Sequence, residues 1–168
     1  GGGGFMLVHL AAENRNVFID YREMAPAAAT RDMFLTPEGE VDKRRAYFSH
    51  QASGVPGTVA GLIHALEEYG TLPLATVIQP AIDLAADGFV MDITLHQNLS
   101  ARAERLAQDP ETKRIFLREG GKAPAIGSRF KQPDLAATLQ RIAEKGRDGF
   151  YAGHTAELIA KDMAANDG

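Results

Sequence analysis

The run VFIDY, residues 17–21, constrains the fold more than any other stretch of the chain. In extended backbone, side chains alternate between faces, so Val17, Ile19 and Tyr21 share one face and Phe18, Asp20 and Arg22 the other. Both faces carry apolar weight, and the strand is expected to be covered on both sides. A second apolar-rich segment, residues 5–10, is separated from it by AAENRN. The turn-prone Asn14 and Asn16 there predict an antiparallel hairpin. A lone two-stranded hairpin is marginal in water, and the rest of the chain offers few further strands. The expectation is a hairpin belonging to a larger sheet that sequence outside this chain completes.

Beyond the hairpin the period changes. LTPEGEVDKRRAY is polar and turn-rich and reads as a surface loop. In GVPGTVAGLIHALEEYG the residues Val59, Leu62, Ile63 and Leu66 form a helical stripe, with Gly70 as its stop. Leu74, Val77, Ile78, Ala81 and Ile82 form the next stripe, ended by Gly88, with Pro80 inside it as an expected kink. Asp92 caps a third helix whose Leu95, Leu99 and Leu106 point inward. Asp109 and Pro110 form a cap followed by proline at the first helical position. Pro133 opens a helix carrying Leu135, Leu139 and Ile142 to a stop near Gly146, and a last one centres on Ala156, Ile159, Ala160 and Met163. The reading is α+β and mostly helical, with a hairpin at about 5–22 and a helical region at about 55–168.

With 168 residues the chain is long enough for one ordinary domain. Its net charge of −4 argues against a nucleic-acid surface, and no apolar run is long enough to span a bilayer. The absence of cysteine excludes disulfides, thiolate metal sites and a cysteine nucleophile. His9, His50, His64, His96 and His154 lie at no spacing that would place two on one helix face, so no metal site is expected. The glycines of GGGGF precede a strand rather than open a helix. They are therefore no dinucleotide fingerprint, and they serve either as a flexible tail or for close backbone approach. In SHQASGVPG, Ser49, His50 and Ser53 are neighbours in sequence, but a triad is a spatial arrangement, and a turn leading into the helix at Gly57 is the preferred reading.

Arg22 remains. Its guanidinium is a rigid fork of donors matched to a carboxylate, and at a strand end it would face an open edge on a firm base. It either binds a carboxylate there, or pairs with Glu23 or Asp20, or caps a nearby carbonyl.

DYREMAPAAATRDMF, with GGGGFMLV upstream and SGVPGTVAG and PAIDLAADGF downstream, resembles the gamma-glutamyltransferase (gamma-glutamyl transpeptidase) family, in the family's order and over essentially the whole chain. The match is to part of the large subunit, so residues 1–168 are expected to be a partial large-subunit domain. The resemblance implies an N-terminal-nucleophile hydrolase fold, an αββα sandwich, made as a precursor that cleaves itself into two subunits. It implies transfer of the gamma-glutamyl group of glutathione or a related donor to water, amino acids or peptides through a gamma-glutamyl-enzyme intermediate. It assigns Arg22 to the α-carboxylate of the glutamyl group. The catalytic residue, an N-terminal threonine acting with its own amine, belongs to the small subunit of the same precursor. This chain is then expected to hold no catalytic residue, metal or cofactor, and to be inactive alone. Periplasmic or secreted location is implied by the resemblance only. Two alternatives remain: a stand-alone helical binding module without catalysis, and an acylase of the same fold with a different donor. An uncompleted sheet edge also predicts self-pairing or aggregation of the isolated piece.

Overall fold

The computed structural model describes residues 2–168. In chain order the elements are β1 (Phe5–Leu10), β2 (Arg15–Asp20), α1 (Lys43–Phe48), α2 (Thr58–Tyr69), α3 (Leu74–Asp87), β3 (Phe89–Val90), α4 (Ile93–Ser100), α5 (Ala103–Leu106), α6 (Pro110–Phe116), β4 (Arg129–Phe130), α7 (Pro133–Lys145), α8 (Asp148–Tyr151) and α9 (Gly153–Ala165). They form two compact units. One joins the segment up to Leu74 with Glu144–Gly168, and the other is Ala75–Ala143.

The first unit is built on the expected hairpin, with β1 and β2 antiparallel and Leu7 opposite Phe18. Asn14 takes the left-handed backbone (φ 46°) that closes the turn. Ile19 is buried, with Met6, Val8 and Val17 half-buried on the same face. The other face does not meet the expectation of cover on both sides: Phe5, Leu7 (71% exposed) and Phe18 (63%) stand open. The reason is topological. Helix α2 lies on the Ile19 side, and the described residues supply no layer for the other. The loop at 35–41 folds back tightly through Gly39 (φ +85°), and Asp42, whose carboxylate accepts from the Arg45 N–H at 3.1 Å, starts the short α1 in a stretch read as loop.

In the second unit Met91, Leu99 and Phe130 are buried together, with Phe89, Leu95, Leu106, Phe116 and Ala123 packed around them. The Phe89 and Phe130 rings meet edge-on at 5.7 Å. Leu95, Leu99 and Leu106 do point inward, but on two helices, because the chain breaks between α4 and α5. Strands β3 and β4 pair through Phe89 and Phe130, a feature the periodicity missed because each has only two residues. The expected caps hold: Asp92 accepts from the Leu95 N–H and Asp109 from the Thr112 N–H, both at 2.7 Å. Helix α3 runs through Pro80 to Gly88 (φ +79°), where a side chain would also collide with the Phe130 carbonyl. In both units, residues placed on the helical stripes stand exposed: Leu62, Val77, Leu135 and Ile159.

Candidate functional site

Arg22 stands two residues past the end of β2. The hairpin ladder continues past the named strands, with Tyr21 N–H donating to the Gly4 carbonyl at 3.0 Å and Gly4 N–H to the Tyr21 carbonyl at 3.3 Å. On the far side Met24 and Val55 exchange two backbone hydrogen bonds of 2.8 and 3.2 Å. The segment 21–24 is thus held between the N-terminal glycines and the loop that leads into α2.

Glycine permits this grip. A Cβ on Gly3 would lie 2.5 Å from Arg22 Cα, one on Gly54 2.9 Å from Glu23 Cβ, and ones on Gly57 and Gly61 would run into the Tyr21 carbonyl and the Tyr21 side chain. The close-approach reading of the glycine run therefore holds. The glycines of GGGGF and SGVPGTVAG, separate in sequence, enclose the same four residues.

The guanidinium itself is exposed. Its Nε donates to Glu23 Oε2 at 3.3 Å and its Nη2 to Glu23 Oε1 at 2.9 Å, while the Arg22 N–H donates to Asp20 Oδ1 at 3.0 Å. Cζ lies 5.7 Å from the centroid of Phe5, which stacks on Phe18 at 5.5 Å. Both charges are reinforced by the pairing. The hydrogen bond from Arg22, with a backbone hydrogen bond behind it, holds the Glu23 carboxyl below its ordinary value, and Glu23 raises the Arg22 guanidinium above its own. Glu23 takes the Nε/Nη2 edge, and the edge carrying Nη1 is not used by that pairing.

The remaining candidates separate. Ser49 Oγ donates to the Arg45 carbonyl at 2.6 Å, and the His50 ring bonds Asp162 at 3.2 Å, so Ser49, His50 and Ser53 make a turn and no serine–histidine relay. His9 bonds Asn16, and His96 bonds the Pro124 carbonyl. Among the described residues no group of three metal-ligating side chains converges, and no helix is long and apolar enough to cross a membrane. A cavity of about 220 Å³ in the second unit is lined by Arg114, Arg118 and Lys131, but Arg114 is already engaged by Glu111 and Asp134. Sequence reasoning missed Tyr151, whose hydroxyl reaches Pro56 and Ala60 across more than ninety residues. No local signal marks such a contact.

The gamma-glutamyltranspeptidase family model matches residues 1–168. The chain belongs to the gamma-glutamyltranspeptidase family. It is 48% identical to the glutathione hydrolase proenzyme of Escherichia coli K12, an alignment covering all of this chain and 29% of that protein. Helicobacter pylori gamma-glutamyltranspeptidase superposes with a TM-score of 0.96 at 43% identity, covering all of this chain and 48% of that one. The Acylase ACY 1 proenzyme of Pseudomonas sp. SE83 is 40% identical over 99% of this chain and 31% of its own length. The chain therefore spans about 29% of the E. coli relative. Its helices and its two two-stranded sheets are a part of the family's architecture.

Proposed function

We propose that this chain supplies the α-carboxylate anchor and part of the scaffold of a gamma-glutamyltransferase, with Arg22 as the anchor. The observation that carries this is the state of its side chain: exposed, charged, and held side-on by Glu23 over Phe5, on backbone gripped from two sides. Such a fork is already oriented before a ligand arrives, so less conformational freedom is lost on binding. The nucleophile and the groups that meet the donor's amino end would come from the small subunit of the same precursor. Glutathione or a related gamma-glutamyl compound would be the donor, water, an amino acid or a peptide the acceptor, and this segment alone would be inactive. Export to the periplasm or exterior belongs to the same proposal and is supported by the family resemblance alone.

The test is glutathione hydrolysis by the full-length protein carrying Arg22→Ala or Arg22→Lys. Loss of a charge-assisted, two-pronged contact should raise KM on the order of 10- to 100-fold, and lysine, lacking the fork, should restore little of it. An unchanged KM in Arg22→Ala refutes the assignment. The 40% identity to Acylase ACY 1 proenzyme favours a second reading in which the donor is another acyl group. A full-length protein that ignores glutathione yet hydrolyses such a donor would support it.

A further inference from the structure

Helix α2 starts without the side chain that ordinarily starts a helix. The first N–H groups of any helix lack intrahelical acceptors, and Ser, Thr, Asp or Asn at the cap position usually supplies one. Gly57 stands there and has no side chain to offer. A Cβ at Gly57 would meet the Tyr21 carbonyl oxygen and lie 2.9 Å from that of Arg22. The contact that rules out a capping side chain is the same contact that holds the Arg22 backbone.

The cap comes from far along the chain. The Gly2 carbonyl accepts from the N–H groups of Gly57 at 2.6 Å and Thr58 at 3.2 Å. The Tyr151 hydroxyl accepts from the Ala60 N–H at 3.2 Å and donates to the Pro56 carbonyl at 2.6 Å. One phenol therefore fastens the backbone on both sides of Gly57. Its ring is itself fixed, edge-on to Phe150 at 5.0 Å and beneath the Arg147 guanidinium at 5.1 Å. Behind it, the buried Thr155 hydroxyl donates to the Gly149 carbonyl at 2.8 Å and ties α9 to α8.

We infer that Tyr151 is a positioning residue for Arg22: its hydroxyl sets the start of α2, and that backbone, through Gly57 and the Val55–Met24 pairing, sets the segment from which the guanidinium projects. Every link is a direct contact within one compact unit. The inference rests on the reading of Arg22 as the donor's carboxylate anchor. A loosened start of α2 would let segment 21–24 move, and a fork displaced from its carboxylate loses binding in the ground and transition states alike. The signature is therefore a change in KM rather than kcat.

The experiment uses the full-length, processed enzyme with Tyr151→Phe, which keeps the ring and loses only the hydroxyl. The expected result is a KM for glutathione raised about fivefold, the weight of one ordinary hydrogen bond, with kcat nearly unchanged. In an Arg22→Ala background the same substitution should add nothing, because the group it positions is gone. A lowered melting temperature with KM unchanged would make Tyr151 a structural cap only and overturn the inference while leaving the anchor intact. If Arg22→Ala itself leaves KM unchanged, the anchor reading falls and this inference falls with it. Should Tyr151→Phe fail to mature, 4-aminophenylalanine at position 151 keeps the ring and a donor for the Pro56 carbonyl but accepts poorly from the Ala60 N–H. Its KM should still rise above the parent's with kcat nearly unchanged, and a KM equal to the parent's would overturn the inference.

Discussion

Gly61→Ala pits two effects of opposite sign against each other. Gly61 lies within α2, where alanine is favoured over glycine by about 1 kcal/mol on helix propensity alone. A Cβ there, however, meets Tyr21 Cβ and Cγ well inside contact distance and Cδ1 at 2.7 Å. Carbon atoms rest at about 3.5–4.0 Å, so α2 or the hairpin must give by roughly 1 Å. Tyr21 has nowhere to go. Its backbone is paired with Gly4, its ring lies against Gly4, where a Cβ would stand 3.1 Å from Cε2, and its hydroxyl points to the Phe5 carbonyl at 3.4 Å. Overpacking typically costs about 1–3 kcal/mol, and a clash with atoms next to the backbone belongs at the upper end. About 3 kcal/mol lost against about 1 gained leaves a net destabilisation of about 2 kcal/mol. The assay is thermal unfolding of the full-length protein, with Gly39→Ala as comparison. That position has φ +85° and open space around it, so it reports left-handed strain alone, about 1 kcal/mol. A Gly61→Ala protein as stable as the parent, or more so, would refute the reasoning, since propensity would then have outweighed the contact.

Met91 is wholly buried at the centre of the second unit, and Met91→Ala should destabilise by about 2–5 kcal/mol in denaturant unfolding. A loss under that range would mean the cluster closes around the vacancy. Because the hydrogen bond from Arg22 lowers the Glu23 carboxyl in the folded protein, the pair's contribution to folding is in place above the unfolded-state value. It is lost as pH falls through the depressed one. A carbon-NMR titration should place Glu23 below the ordinary carboxylate range, and Arg22→Met should move it back up. Identical midpoints in the two proteins would dissolve the pairing.

The hairpin and the helix caps were legible locally, whereas the short α1 was not and one face of the hairpin stands open. The hairpin follows from alternation over a few residues and from Asn14, which accepts a left-handed turn. Asp92, Asp109 and Gly88 act within one helical turn of themselves, so their roles are visible in a short window. Arg22 drew attention because an arginine at a strand end is chemically specific, and the surrounding motifs carried the family. The break that divides the third helix into α4 and α5, and the short pair β3 and β4, lie below the length at which periodicity resolves a segment.

The sequence by itself determined the hairpin, the longer helices and the caps at Asp92, Asp109 and Gly88, and to which family the chain belongs, because each of these is written in near neighbours. Only the tertiary structure decided that one hairpin face is covered and the other open. It also decided that Glu23 takes one edge of the Arg22 fork, and that Gly3, Gly54, Gly57 and Gly61 leave room for one backbone against another. The cap of α2 is the sharpest case. The residue that should supply it is a glycine because Tyr21 and Arg22 occupy the space, and the hydroxyl that replaces it comes from Tyr151. A steric conflict between distant segments chose both residues, and such conflicts exist only once the chain has folded.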